Sequence, residues 1–396
     1  MNRNLWLVLG TAVFFGLATG IYEYIFPLFL QARKVSFEQM GVIFAVSGVA
    51  MVLVRIYMGG LADQLGRKPL FASALAVCGL ATAMPPLLPG LLLQLVAKIF
   101  REIAALTRET VFPIVLYEEQ RGAFLNFIGK FRGVEFMVQA GGTLLAGLII
   151  AKMGAATGYP VSLYLAGGAL LLAAIGFATL FREHRSAPKQ QTVSLRDLFN
   201  LDLHHNLKII LAAGIIFTFG VMLSHSFFLP LFFIQRFPGE VAEQWNPTLM
   251  SLHRVTIALP MLLVGNLRLT NLRAWYIWGF IIEGVTMAAC AVIPNYWASA
   301  GIFLLHDLIG AGLWVPIQAT IIQQFSRDAT RGIEVGKVLA WTSLGGVAGP
   351  LAAGFLAGIS PVYPFLFSGL IMIAAVIPLF RLRLEAPAPV AVAAKV

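Results

Sequence analysis

The sequence predicts an all-α membrane protein, with twelve transmembrane helices arranged as two pseudo-symmetric six-helix bundles. Three observations predict it. The 396 residues are 59% hydrophobic and only 12% charged, about half the charged fraction of a soluble globular domain. The apolar runs reach about 20 residues or more, enough to cross about 30 Å of hydrocarbon as a helix. An offset of 203 residues places Pro113 on Pro316, Gly129 on Gly332, Gly133 on Gly336 and Gly142 on Gly345, so one half of the chain repeats in the other.

Span one covers 5–30; it is too long, and lacks the small-residue cleavage pattern, for a removable signal peptide. Spans two and three, 39–60 and 70–87, flank a charged loop. The turn MPPLLPG at 84–90 leads into span four, 91–115, because proline and glycine interrupt helices. Spans five and six cover 123–151 and 160–181. The polar stretch REHRSAPKQQTVSLRDLFNLDLHHN, 182–206, then divides six spans from six. Within it Ser194-Leu-Arg-Asp197 reads as a capped helix start, and a short amphipathic helix is expected there. Spans seven to twelve cover 207–235, 247–265, 274–293, 298–322, 334–358 and 361–381, the last two parted by the turn ISPVYP at 359–364. The chain thus divides into bundles 1–181 and 207–383, a linker 182–206, and a tail 384–396 whose Ala, Pro and Val composition predicts disorder.

Charge sets the orientation. With both termini in the cytoplasm, the cytoplasmic loops carry most of the loop Lys and Arg, as the positive-inside rule requires. The same distribution accounts for part of the net charge of +10, so nucleic-acid binding is not needed to explain it. Cys78 and Cys290 fall within spans and imply no disulfide framework. Asn246-Pro-Thr has proline in the position that forbids glycosylation. No nucleotide-binding loop, metalloprotease helix or nucleophile elbow occurs, which argues against an ATP-driven pump, a membrane enzyme or a cofactor.

The loop between spans two and three reads GGLADQLGRKPL, residues 59–70. It resembles the signature Gly-x-Leu-Ala-Asp-x-x-Gly-Arg-Lys of the major facilitator superfamily, at Gly60, Leu61, Ala62, Asp63, Gly66, Arg67 and Lys68. The resemblance implies a secondary transporter of a bacterial inner membrane that alternates access to a site between its two halves. It also implies a gating latch. Gly60 and Gly66 allow close helix approach and a tight turn, Asp63 meets a helix N-terminus of the opposite half, and Arg67 and Lys68 supply positive charge, with Glu118 a partner for Arg67. The equivalent loop of the second half, GNLRLTNLRAW at 265–275, has lost the acid. Two patterns of the drug:proton antiporter branch are partial. Arg101 stands twelve residues before Pro113, without the glycines and glutamine that normally follow it; Gly133-x8-Gly142 begins the span-five motif, but its Gly-Pro occurs instead in span eleven, in GGVAGPLAAG at 345–354.

Span four contains KIFREIAALTRET, residues 98–110, with five charges in thirteen residues. A charge at mid-membrane costs about 2.5–3.5 kcal/mol even on lenient scales. Lys98, Arg101, Glu102, Ala105, Arg108 and Glu109 recur at helical spacing on one face, and span five carries Lys130, Arg132, Glu135 and Gln139. The spans are antiparallel, so Arg108 can meet Glu135 and Glu109 can meet Arg132. Such pairs either form a self-satisfied scaffold or wall a water-filled cavity. The first half has six basic residues within spans (Arg55, Lys98, Arg101, Arg108, Lys130, Arg132) against four acids (Glu23, Glu102, Glu109, Glu135), which leaves two positive charges for an anionic ligand. Candidate substrate contacts are therefore Arg101, Glu102, Arg108, Glu109, Arg132, Glu135 and Gln139, with Tyr22 and Trp314 as apolar lining. Arg101 is the charge expected to be left for a ligand, because Glu102 projects about a hundred degrees away around the helix and Lys98 competes for it.

Glu23 is a lone carboxyl in span one and, with His306 and Asp307 of span ten, a candidate carrier of the coupling proton. His225 and His253-Arg254 are read as nearer the outer surface and interfacial. A metal site from Glu23, His306 and Asp307 lacks supporting spacing, and none is expected. The expected function is proton-coupled export of a small anionic or amphipathic organic compound by a monomer whose partners are substrate, protons and the lipid bilayer. The alternatives are proton-coupled uptake of an organic anion and, from another class, a non-transporting sensor on the same fold.

Overall fold

The computed structural model describes residues 3–119, 124–183, 201–263, 271–327 and 331–384. Side chains of 55–64, 114, 117, 118, 124–126, 309, 312, 313, 316, 319, 323 and 331–333 lie outside that description, as do the capped start at Ser194 and the tail. The side chains of Asp63 and Glu118, and any contact of Gly60, therefore fall outside the described residues.

Twelve spans form two six-helix bundles. The first contains α1 (Arg3–Ala32), α2 (Phe37–Leu65), α3 (Arg67–Ala83), α4 (Leu91–Glu119) and the long α5 (Phe124–Leu180), which holds spans five and six. Ser36 caps α2 in a reciprocal capping box with Gln39. One residue, Gly66 at φ 90°, turns the chain from α2 into α3, a conformation open to glycine at little cost. Where a loop was expected between spans five and six, α5 continues and is bent back only at Gly154, with φ 70° and ψ 163°. A single residue in a glycine conformation reverses the chain without a polar loop.

The second bundle contains α6 (His205–His225), α7 (Leu229–Arg236), α8 (Glu240–Leu263), α9 (Leu272–Val292), α10 (Tyr296–Leu305), α11 (Gly312–Phe325), α12 (Arg331–Ile359), α13 (Val362–Ala374) and α14 (Val376–Leu379). Spans seven and ten are interrupted, and span eight starts early. Span seven breaks after His225, where Ser226 leaves helical geometry at ψ −109°, and resumes with Pro230 in the first turn of α7. Span ten widens into a π turn at His306–Ala311. Span eight begins at Glu240, earlier than 247, and the helix runs on through Pro247.

The repeat is expressed in contacts. Asn4 Nδ2 donates to Arg182 O at 2.9 Å and Asn4 Oδ1 accepts from Arg182 N at 3.3 Å. Asn206 makes the same two bonds to Arg383, at 2.7 and 3.3 Å. Each pair ties the first span of a bundle to the end of its sixth. Small residues serve likewise: Gly79 packs on Gly167 in the first bundle, and Gly284 on Gly369 in the second. With lipid as apolar as leucine, helices associate in a membrane through such close approach.

The bundles meet where α2 crosses α12 and α5 crosses α8. A Cβ on Gly354 of α12 would lie 2.5 Å from Phe37 O of α2, and Ser251 of α8 donates to Ala140 O of α5 at 3.0 Å. A Cβ on Gly369 would collide with Gly284 O and Ala288, whereas one on Gly301 meets nothing within 4 Å. Gly369→Ala is expected to lower thermal stability by about 1–3 kcal/mol through overpacking and Gly301→Ala to leave it unchanged, both measured as melting temperature in detergent.

Candidate functional site

Between the bundles lies a cavity of about 390 Å³. Tyr22, Glu23 and Phe26 of α1, Phe44 and Ser47 of α2, and Lys98, Arg101 and Glu102 of α4 form one wall. Met222, His225 and Ser226 at the break in span seven, Arg254 of α8 and Pro350 of α12 form the other.

The charged wall has a defined geometry. Arg101 Nη1 donates to Glu102 Oε1 at 2.7 Å, and Lys98 Nζ donates to the same oxygen. This corrects the expectation that Glu102 would point away from Arg101: long side chains close the gap around the helix. One carboxylate shared by two cations still leaves this trio one positive charge in excess. The Arg101 guanidinium lies 4.0 Å from the ring centroid of Tyr22, and Lys98 Nζ lies 4.3 Å from that of Phe44, both in cation–π range. Arg101 Nε and Tyr22 Oη are buried with no hydrogen-bond partner among the described residues. Glu23 is ion-paired with Arg254 across the cavity, so it is not a lone carboxyl.

Deeper along α4 stands a second network. Arg108 Nη2 donates to Glu135 Oε2 at 3.0 Å and Nη1 to Oε1 at 3.3 Å. Glu109 accepts from both Arg108 and Arg132, and Arg132 also reaches Glu135 at 3.4 Å. Arg108 is fully buried, with its guanidinium 4.1 Å from the Phe15 centroid and 4.4 Å from that of Phe112. Two arginines and two glutamates close on themselves, and none of the four lines the cavity. Gln139 packs its backbone against Gly20 of α1, also off the cavity. Trp314, expected as pocket lining, instead donates Nε1 to Glu283 and packs on Phe217 in the second bundle.

In the second bundle the structure gathers His225, His253, His306 and Asp307. His225 Nε2 lies 3.0 Å from His306 Nε2, and His306 Nε2 lies 3.3 Å from Asp307 Oδ1. His253 Nδ1 contacts Asp307 Oδ2 without hydrogen-bond alignment. A span eight that starts at 247 puts His253 near its outer end, which hides this group in the sequence. Counted from Glu240, His253 lies thirteen residues into α8, about 20 Å along the helix, and it is buried rather than interfacial. Arg254 beside it faces the cavity. Three histidines in separate apolar spans were the available signal.

In the latch loop, Arg67 N donates to Glu183 Oε1 at 2.5 Å. Glu183 thus caps α3, whose own N-cap residue, Gly66, has no side chain to do so. Lys68 is half-buried in the first turn of α3.

A family model described as Major Facilitator Superfamily matches residues 8–267 and 240–395. Over 397 aligned residues the chain is 22% identical to Multidrug resistance protein 2 of Bacillus subtilis, covering 94% of this chain and 93% of that protein. A stretch of 143 residues, 34% of this chain, is 32% identical to the niacin transporter NiaP of Acinetobacter baylyi and spans only 32% of that protein. Among solved structures, a variant of the nucleoside transporter NupG superposes with a TM-score of 0.75 at 14% identity, over 95% of this chain and 98% of that one. The human organic anion transporter MFSD10 superposes with a TM-score of 0.69 at 14% identity, over 95% and 99%. At these identities the solved structures speak for the fold alone.

Removing Glu135 would leave Arg132 and the fully buried Arg108 sharing the single carboxylate of Glu109. Glu135→Ala is expected to destabilise by about 3–5 kcal/mol, read as melting temperature, whereas Lys130→Ala, at an exposed position, should change nothing.

Proposed function

Because the chain belongs to the major facilitator superfamily, we propose that it is a proton-coupled secondary transporter that exports a small organic anion by alternating access. The observation that carries this reading is Arg101. Its guanidinium lies over the Tyr22 ring at the cavity wall, 4.0 Å from the centroid, with Nε unpartnered among the described residues. The charges lining the cavity, Lys98, Arg101 and Arg254 against Glu23 and Glu102, leave one positive charge for a ligand. A cavity of about 390 Å³ suits a compact organic molecule. A carboxylate or phosphonate would take the fork of Arg101, with Glu102 and Tyr22 holding the guanidinium in place.

The coupling proton belongs on Glu23 in this reading. Protonation of Glu23 breaks its pair with Arg254 and frees that cation for the substrate anion, so proton and anion binding assist each other at this pair, a linkage that favours the uptake reading. The latch formed by Gly60, Asp63, Gly66, Arg67, Lys68 and Glu118 biases the two access states, and its retention speaks against a non-transporting sensor. The bundle boundaries at 181 and 207, a monomer with both termini cytoplasmic, and a bacterial inner membrane complete the proposal. The full-length likeness to a multidrug resistance protein supports export. Uptake is the second reading, favoured by the local likeness to a niacin transporter and by the missing Gly-Pro in span five.

Reconstituted protein in proteoliposomes with an imposed pH gradient should move small aromatic carboxylates in the direction opposite to protons. Movement with the protons would establish uptake, and no flux with any organic anion would remove the reading. Arg101→Lys is expected to weaken substrate binding by about tenfold or more, the loss of a bidentate contact, while the melting temperature stays within error. Glu23→Gln is expected to abolish gradient-driven flux and retain substrate exchange; gradient-driven flux at the unmodified rate would take the proton away from Glu23.

A further inference from the structure

We propose that His225, His253, His306 and Asp307 bind a divalent first-row transition ion of the zinc class inside the second bundle. Ring nitrogens of the three histidines all lie within 4.8 Å of one another. Tetrahedral zinc with bonds of about 2.0–2.1 Å requires ligand atoms about 3.3 Å apart, so side-chain movements of an ångström or so convert the cluster into a coordination shell. Imidazole and carboxylate are the ligand set of zinc, cobalt and nickel, whereas magnesium and calcium take oxygen.

The surroundings already orient the ligands. His306 Nδ1 is bonded to Phe303 O. A carbonyl can only accept, so Nδ1 carries the proton and the Nε2 lone pair of a neutral ring is turned to His225 and Asp307. His225 Nδ1 is 2.8 Å from Ser224 Oγ, which is 2.9 Å from Ser368 Oγ. A hydroxyl pair there lets Nδ1 donate and leaves His225 Nε2 free to bind. A second nitrogen fixed by a carbonyl or hydroxyl is the outer shell that metal-bound histidines use. His253 Nδ1 and Asp307 Oδ2, though in contact, are buried without an aligned hydrogen bond. Buried polar atoms of that kind call for a partner.

The backbone points to the same place. His225 is the last residue of α6 before the break in span seven, and His306 and Asp307 open the π turn of span ten. Widening the helix there buries both of these adjacent side chains. Interrupted membrane helices form ion sites in transporters, and π turns concentrate at functional positions. The cluster also has an approach: His225 lines the main cavity, and His253 lines a side pocket of about 20 Å³, room for about one water or ion.

The test uses purified full-length protein, freed of any affinity tag and chelator, titrated with Zn²⁺ and separately with Mg²⁺. Zn²⁺ should raise the melting temperature in a concentration-dependent manner, and Mg²⁺ should not. His253→Ala and His225→Asn should each weaken Zn²⁺ binding by more than about tenfold, while His204→Gln and Cys290→Ser leave it unchanged. Should a cluster variant fail to fold, Co²⁺ added to the unmodified protein supplies the second readout: intense visible d–d absorption of a four-coordinate ion is expected. No Zn²⁺ shift, a shift that survives loss of His253 and His225, or a weak octahedral cobalt spectrum would each overturn the proposal. None of these readouts involves substrate flux, so the site stands or falls independently of the transport reading.

Discussion

A charge placed in hydrocarbon must find its opposite, and most of the first bundle is organised by that requirement. Arg108 has no exposed surface at all. Its charge is tolerable because Glu135 and Glu109 meet it, and because Arg132 then balances the second carboxylate. An isolated buried ion costs several kcal/mol, and a closed set of two and two recovers most of it through short-range attraction. The network spans α4 and α5, and α5 in turn packs along α1, so charge pairing helps to set the register of three helices. The trio about two to three turns away along α4 does not close. Lys98 and Arg101 share one oxygen of Glu102, and it is this open trio, not the closed network, that faces the cavity.

The two bundles repeat in backbone and diverge in chemistry. The asparagine clasps at Asn4 and Asn206 and the glycine contacts of α3 and α9 with their neighbours are shared. Polar groups are handled differently. The first bundle keeps continuous helices across its polar face and relies on arginine and glutamate. The second interrupts spans seven and ten and gathers imidazoles at the interruptions. Arginine stays charged and therefore needs acids; imidazole can be neutral, and a neutral ring is far cheaper to bury. The cavity lies between these two chemistries, with a fixed positive surplus on one side and adjustable nitrogen ligands on the other.

How much of this was legible in the sequence follows from the range of each interaction. The apolar lengths gave the spans, and antiparallel depth gave the pairing of Arg108 with Glu135 and of Glu109 with Arg132, because both depend only on position along the chain. The clasps at Asn4 and Asn206 repeat at almost the same offset as the glycines, yet the polar pairs carried no obvious period and went unread. Arg101 was expected to miss Glu102 from an idealised angle between Cα–Cβ vectors, which ignores how far flexible side chains reach. Trp314 was assigned to the cavity on composition alone, and only packing on Phe217 and Glu283 fixes it elsewhere. The histidine cluster needed three spans, a helix break and a π turn, none of which has a local signal strong enough to read. Its residues were visible singly, and their convergence was not.

The pair of Glu23 and Arg254 joins these threads. It crosses from α1 to α8, and hence from the first bundle to the second, at the edge of the cavity. An ion pair that bridges two moving bodies stabilises whichever arrangement holds its partners together, and its strength rises as water leaves the gap. In the proposed transport cycle this contact breaks at each turnover, so it cannot be as strong as the closed network around Arg108. The exposures agree with that demand. Side-chain exposure is 41% for Glu23 and 19% for Arg254, against 3% for Glu135 and none for Arg108. Solvent screening keeps the bridge weak enough to exchange, while burial makes the scaffold beneath it nearly permanent. Arg254 also adjoins His253 in sequence, so any change in the charge held by the histidine cluster is felt one residue from the bridge. The cavity, the bridge and the cluster are thereby electrostatically linked through a single turn of α8.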